Sequence, residues 1–187
     1  MRGKDIDYFA ALYDVARVIN ASLEPSKVLE KIVQSVVKAM GVKAGSIRLL
    51  DSRERRLVLG AASGLSKGYI RKGPISIAES GLDRKVLTGK TVWLADAQTA
   101  KAFQYGAMAK TEGIKSVLVV PLMLEKKAIG VLRVYAGQVR RFGDDELKFL
   151  KAVANLSAIA LDNARMHETL RTRCDLMAAH KYRIDDN

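Results

Sequence analysis

The sequence predicts an α+β domain with a central antiparallel sheet. Two β-rich runs, Ser116–Leu124 and 128–135, flank a charged tip at 125–127, as in a hairpin. Both runs are apolar at nearly every residue, a pattern typical of strands covered on both faces, so this hairpin is expected in the middle of the sheet. A second pair of strands is predicted at 44–50 and 56–62. Helical segments before and after the strands favour helices packed on an antiparallel sheet.

Two helices are predicted before the first strand. In residues 5–20, apolar side chains recur at steps of three and four residues: Ile6, Phe9, Tyr13 and Ala16. The second helix is predicted to have Ser26 as its N-cap and to run to Met40, with Gly41 as its C-cap.

The middle of the chain is less regular. Residues 63–74 contain three glycines and predict a loose connection. A short helix at 78–88, a strand at 91–94 and a helix at 101–111 are expected to follow.

Two features of the second half of the chain predict where a strand is irregular and where the last helix begins. Pro121 cannot donate to a ladder, so a bulge or bend is expected within the first strand of the central hairpin. After a basic loop at 137–143, acidic residues from Asp144 favour a helix N-terminus, and that helix can continue to about Lys181.

Composition indicates a folded cytoplasmic protein. The 187 residues fit one domain with extensions. The longest uncharged runs have ten residues, too short to cross a bilayer. No secretory signal is predicted, and one cysteine, Cys174, suits a reducing compartment. The chain is expected to be either a complete protein or a segment of a longer one.

The formal net charge of +12 raises nucleic acid as a partner. The basic residues are scattered over predicted loops, turns and the last helix, for example Arg71 with Lys72 and Arg140 with Arg141. No aromatic residues alternate with them to stack bases, so solvated surface charge is the preferred interpretation. A steep salt dependence of DNA affinity would favour the alternative.

One motif suggests catalysis. Residues 64–68 match the G-x-S-x-G pattern of a hydrolase nucleophile, with Ser66 at its centre. That chemistry needs a histidine base, and the two histidines, His167 and His180, both fall in the last helix. The preferred interpretation is a glycine-rich loop, and no metal site is predicted because these histidines lack companions at ligand spacing.

Arg48 and Arg133 are charged residues within apolar strands. A buried guanidinium keeps its charge and must find partners, so each is expected to meet a carboxylate or a ligand anion. An internal ion pair or an edge position that reaches water remains the alternative.

Several segments together resemble the GAF domain, a small-molecule sensing and dimerisation module of signalling proteins. They are residues 113–122 (GIKSVLVVPL), 129–132 (IGVL), 81–96, 142–146 and 158–164. The resemblance implies a sheet of order 2-1-5-4-3, counting 91–94 as the third strand. It also implies terminal helices on one face, and short helices and loops over a ligand pocket on the other. The expected division is an N-terminal helix at 1–22, the GAF domain at 23–165 and a helical extension at 166–187.

The resemblance implies a non-catalytic sensory or regulatory domain that binds a small molecule. Cyclic-nucleotide, bilin, haem and methionine-sulfoxide-reducing members carry motifs, cysteines or pocket histidines that this sequence lacks, so the ligand and any cofactor remain unknown. Candidate ligand-binding residues are Arg48 and Arg133, together with four from elements that border the family's pocket: Trp93, Asp96, Tyr105 and Ser116. A purely structural dimeriser and an enzyme on this fold remain alternatives.

The last helix contains a heptad stripe. Positions a and d are occupied by Leu156, Ile159, Asn163, Met166 and Leu170, and the stripe continues to Met177. Such a stripe predicts a coiled-coil seam, and an asparagine at an a position can specify two strands. Because family members dimerise through terminal helices, a parallel homodimer is expected; packing of the stripe on the first helix of the same chain is the alternative.

Overall fold

A computed structural model describes residues 7–20, 24–51, 53, 55–100 and 103–185, with the backbone alone described from 178 onwards. The helices are α1 (Tyr8–Asn20), α2 (Pro25–Met40), α3 (Lys67–Ile70), α4 (Gly81–Leu87), α5 (Gly106–Glu112) and α6 (Asp144–Asp185). The strands are β1 (Ala44–Asp51), β2 (Arg56–Ser63), β3 (Ile75–Ser76), β4 (Val92–Leu94), β5 (Ser116–Leu124) and β6 (Lys127–Ala136).

The strands form one antiparallel sheet of order β3-β2-β1-β6-β5-β4. The predicted α+β class is therefore confirmed, and the β5–β6 hairpin lies inside the sheet. The five predicted strands lie in the predicted sequence of neighbours. The sheet differs by an additional edge strand, β3, where Ser76 pairs with Arg56. Two residues are too few to show a period in the sequence, which is why β3 was not predicted.

The two faces of the sheet are covered by different helices. In β6, Leu132 and Val134 belong to the core that α1, α2 and α6 share with the sheet. Val131 and Tyr135, on the opposite face, belong to a second core with residues of α3, α4 and α5. Burial of both faces explains why the hairpin strands are apolar at almost every position.

The ends of α2 agree with the sequence in part. The prediction of Ser26 as N-cap was wrong, because the helix begins one residue earlier, at Pro25, with Glu24 as the N-cap residue. Proline is favoured at a first helical position, since the N–H that it lacks would have no partner there. Gly41 ends the helix in the left-handed region, with φ +57°, as predicted.

Pro121 stays in register opposite Val131, and the β5–β6 ladder is irregular one step later, between Leu122 and Met123. On its other side β5 pairs with β4 only at residues 117–119, so the missing N–H of Pro121 removes no bond there. The helix predicted at 101–111 begins later, at Gly106, and residues 101–102 lie outside the described part of the chain.

α1 presents two apolar stripes. One packs on the core through Val15, which is fully buried, with Tyr8 and Leu12 beside it. The other contains Phe9 and Tyr13, whose exposed fractions are 80% and 61%. The stripe predicted from the sequence is the exposed one, and its first member, Ile6, lies outside the described residues.

α6 continues for 42 residues. Its first part packs on the sheet through Leu150, Val153 and Ala158. Residues 165–177 are exposed, and no break separates the two parts. No helix within the described ranges is long and apolar enough to cross a membrane.

Candidate ligand site

Four polar side chains lie on the sheet face beneath the short helices. Because alternate residues of a strand share a face, Ser46 and Arg48 of β1 lie on the same side as Arg133 and Tyr135 of β6. Ser46 is directly opposite Arg133, and Arg48 is opposite Val131, which makes the two arginines diagonal neighbours. Ser46 Oγ and Tyr135 Oη are hydrogen-bonded at 2.9 Å.

Arg133 is paired with Asp83 of α4. Arg133 Nη2 donates to Asp83 Oδ1, and the two side chains are 1% and 2% exposed. Asp83 is positioned by the helix start, since Ser80 caps α4 by accepting from Asp83 N and donates through Oγ to Asp83 Oδ2 at 2.5 Å. Burial alone lowers the pKa of Arg133, but the Asp83 carboxylate outweighs burial and raises it.

Arg48 has no carboxylate partner among the described residues. Its Nη1 donates to the carbonyl oxygens of Leu57, at 3.3 Å, and Gly73, at 3.2 Å. Burial, with a smaller contribution from the charge of Arg133, lowers the pKa of Arg48.

Lys72 reaches the same place from the turn between α3 and β3. Its Nζ lies 3.5 Å from the centre of the Tyr69 ring and 4.4 Å from that of Tyr105. Burial, followed by the charges of Arg133 and Arg48, lowers the pKa of Lys72 to about 6. The sequence predicts solvated surface charge for Lys72, and that prediction is wrong, because Nζ is buried.

Three basic side chains therefore converge beneath the short helices, with one carboxylate among them. Arg48 Nε, Arg133 Nε and Lys72 Nζ are buried and have no hydrogen-bond acceptor in the described part of the chain. Buried donors are almost always paired in folded proteins. Three buried donors without acceptors therefore indicate basic groups that the protein itself does not fully compensate. The arrangement can bind negative charge.

The covering segment, which runs from α3 to the residue before β3 (67–74), is held by a few contacts. Glu112 of α5 accepts from Ser66 N at 2.8 Å and from Ser66 Oγ, and Ser66 also caps α3 by accepting from Tyr69 N at 3.1 Å. A cavity of about 270 Å³ opens between α3 and α5 and is lined by Tyr69 and Glu112 among others. The motif around Ser66 is thus a helix cap.

The GAF domain family matches residues 22–162. The chain belongs to this family. The GAF domain of a phosphoenolpyruvate-protein phosphotransferase from Acinetobacter is similar in structure, with a TM-score of 0.72 and 27% identity over 84% of this chain and 94% of that one.

Two further proteins are similar to this GAF domain. The free methionine-R-sulfoxide reductase of Neisseria meningitidis superimposes with a TM-score of 0.72 and 20% identity, covering 89% of this chain and 95% of that one. An uncharacterised sensor-like histidine kinase of Chloroflexus aurantiacus is 22% identical over 183 residues, which are 95% of this chain. This chain spans 29% of the length of that kinase.

The structure of the GAF domain separates the six predicted ligand residues into two groups. Arg48 and Arg133 lie together, and Tyr105 joins them through Lys72 while its hydroxyl donates to Pro74 O at 3.3 Å. The other three, Trp93, Asp96 and Ser116, lie near β4.

Each residue of the β4 group is hydrogen-bonded within the domain, and Trp93 and Ser116 share Arg140 as a partner. Trp93 Nε1 donates to Arg140 O at 3.2 Å, and Ser116 Oγ accepts from Arg140 N at 2.9 Å. Asp96 Oδ1 accepts from Gln98 N at 2.9 Å, which forms a local turn. The two contacts with Arg140 hold the β4 edge against the loop before α6.

Sequence reasoning missed Lys72, Asp83 and Tyr69. Ser80 and Asp83 have the spacing of a capping box, which could have located the start of α4. No local pattern marks Lys72, because it follows Arg71 in a predicted loop and its burial depends on contacts with the rings of Tyr69 and Tyr105.

The heptad residues of α6 differ in exposure. Leu156 packs partly on the domain's own core, whereas Ile159, Met166 and Leu170 are 52%, 53% and 60% exposed. Asn163 is exposed as well. A groove of about 450 Å³ runs between α6 and the start of α2, and its lining includes Val28, Asn163 and Met166.

Proposed function

We propose that this GAF domain is a non-catalytic sensory or regulatory module that binds a small molecule beneath α3, α4 and α5. The observation that carries this proposal is the group of Arg48, Lys72 and Arg133, each with a buried donor that has no acceptor among the described residues. Ligand binding would favour one arrangement of that segment and of the helices packed on the sheet. It can shift them only by its differential affinity for the two arrangements.

We further propose that the domain forms a parallel homodimer through its terminal helices. Ile159, Met166 and Leu170 follow one stripe of α6 and are exposed in the single chain, as are Phe9 and Tyr13 of α1. Exposed apolar stripes of this length are typical of surfaces that a partner covers. The dimer would connect the domain to a downstream signalling domain or protein, as the similarity to a sensor-like kinase suggests.

The proposed organisation is an N-terminal helix at 1–22, the ligand-binding domain at 23–165 and a helical extension at 166–187. We place the protein in the cytoplasm, which suits a single cysteine in a sensory domain.

Catalysis is disfavoured by the surroundings of the candidate nucleophiles. Ser66 donates to Glu112 and has no histidine among its described partners, and Cys174 is exposed on α6. The reductase from Neisseria meningitidis shows that an enzyme exists on a similar fold. Loss of an activity on mutation of Ser66 or Asp96 would favour an enzyme here as well.

A second candidate is a structural dimeriser without ligand. The close contact of Lys72 with the rings of Tyr69 and Tyr105 favours this alternative. Native mass spectrometry on the freshly purified protein separates the two. A dimer that carries an additional mass, released on denaturation, supports a dimeric sensor. A dimer without added mass supports the structural alternative, and a bare monomer contradicts the dimer.

A further inference from the structure

We propose that the ligand of this domain is a small organic anion, and that Arg48, Lys72 and Arg133 bind its carboxylate or phosphate group. This inference rests on the proposed sensory function and narrows it to one chemical class of ligand. Among the described residues three basic side chains converge on the site, and Asp83 is the one carboxylate in contact with any of them.

Asp83 cannot supply acceptors to all three basic residues. Its Oδ1 accepts from Arg133, and its Oδ2 accepts from Ser80 Oγ, which fixes the carboxylate on the α4 side of the cluster. Arg48 is left with two backbone carbonyls and Lys72 with two aromatic rings. Carbonyl dipoles and ring faces solvate a cation but do not neutralise it.

The unpaired donors match an oxyanion. Arg48 Nε, Arg133 Nε and Lys72 Nζ each lack an acceptor within the described ranges. Carboxylate and phosphate groups present several acceptor oxygens and form short, strong hydrogen bonds with guanidinium and ammonium groups. The same positive charges disfavour a cationic ligand, and a neutral ligand would leave the charge of the cluster uncompensated.

The covering segment links binding to a change of conformation. Gly73 O accepts from Arg48 Nη1 at 3.2 Å, and Pro74 O accepts from the Tyr105 hydroxyl at 3.3 Å. A ligand oxyanion that accepts from Arg48 Nε would draw the guanidinium group toward itself and lengthen the bond from Nη1 to Gly73 O. The segment between α3 and β3 would therefore move when the anion binds, and Lys72, which belongs to this segment, would follow the ligand.

The test follows the arginine Nε–Hε signals of the full chain by NMR. The protein is titrated near neutral pH with sodium phosphate and, separately, with sodium malonate, at constant ionic strength set with sodium chloride. Malonamide serves as the neutral analogue. We expect saturable shifts of the Arg48 and Arg133 signals with at least one anion and none with malonamide. The anion that binds with the lower dissociation constant then shows whether the natural ligand carries a phosphate or a carboxylate group.

Two variants separate specific binding from general attraction to a basic protein. Lys72→Met should raise the dissociation constant about tenfold, since it removes the amine that takes up a proton when the anion binds and then donates a charged hydrogen bond to it. Lys151→Met removes an exposed lysine from α6 and should leave the constant unchanged. Absence of saturable shifts with both anions, or equal weakening by the two variants, overturns the proposal.

Native mass spectrometry on the same sample distinguishes this failure from failure of the sensory function. A co-purified neutral compound would contradict the anionic class and leave the sensory function intact. A protein that releases no small molecule and shows no anion shifts would contradict both.

Discussion

Asp83 and Arg133 are 50 residues apart in the chain and form an ion pair in which neither side chain is more than 2% exposed. The pair joins α4 to the central strand β6, so it fixes one of the covering helices to the sheet. An ion pair in such a place is costly to break, because removal of one partner leaves the other charged and buried.

We therefore expect Asp83→Asn to lower the free energy of unfolding by about 3–5 kcal/mol, the range seen when one partner of a buried pair is removed. Urea denaturation measures the change. Asp145→Asn is the matched control, because Asp145 pairs with Lys148 on the surface, where both side chains are more than three-quarters exposed. The control should change stability by less than about 0.5 kcal/mol. Equal effects of the two substitutions would contradict the structural role of the buried pair.

Stability should also depend on pH through Lys72. The pKa of this amine is about 6 in the folded protein and has its ordinary value of 10.5 in the unfolded chain. Between these values the unfolded state binds more protons, so the free energy of unfolding rises with pH across the interval. Below pH 6 both states are protonated, and this contribution to the slope vanishes.

The charged and titratable groups that face Lys72 are Arg48, Arg133, Asp83, Glu112, Tyr69 and Tyr105. Lys72→Met removes the titrating amine and keeps a chain of similar length. We expect a flatter pH profile and higher stability near neutral pH, measured by urea denaturation at a series of pH values. Lys151→Met should keep the slope of the unmodified protein. A Lys72→Met profile as steep as that of the control would show that the amine is not buried in solution.

Engineered cysteines test the proposed parallel dimer. In a Cys174→Ser background, Met166→Cys places a thiol at a d position of the heptad, where equivalent residues of a parallel pair face each other. Arg165→Cys, one residue earlier, is exposed and points away from the seam. Mild oxidation should crosslink the first variant into a dimer and leave the second largely monomeric on a non-reducing gel. Equal crosslinking of both would argue against a defined seam.

Gly130 permits close contact between β6 and β1. A Cβ atom at this position would lie 2.4 Å from Arg48 O, within the backbone of the neighbouring strand. Gly130→Ala should therefore lower the free energy of unfolding by about 1–3 kcal/mol and disturb the strand that carries Arg48. Gly68→Ala, where the nearest atom is 3.8 Å away, is the control and should be neutral or slightly stabilising. Thermal unfolding of both variants measures the difference, and a Gly130→Ala protein as stable as the control would contradict the close strand contact.

The sheet and its central hairpin could be predicted because their signals are local. Continuous apolar runs require cover on both faces, and a charge within such a run, as at Arg48 or Arg133, must be explained by a partner. Both arginines therefore stood out in the sequence. Asp83, the partner of Arg133, and Lys72, the third basic group, did not, since Asp83 lies in a short helix and Lys72 in a turn.

α1 shows a second limit of prediction from the sequence. Its residues form two apolar stripes, and periodicity cannot say which one faces the domain's own core. Val15 is fully buried, whereas Phe9 and Tyr13 of the predicted stripe are exposed. The choice depends on how α1 crosses α2 and α6, which is a tertiary contact.

The unbroken course of α6 has a mechanical consequence. From Leu150, which is fully buried against the sheet, to the exposed Met177 the helix rises about 40 Å, at about 1.5 Å per residue. A tilt of about 5° at the buried end would displace the far end by about 3.5 Å if the helix moves as a rigid rod. A reorientation small enough to keep the core packed thus becomes a movement as wide as a side chain, and the length of the helix sets the amplification.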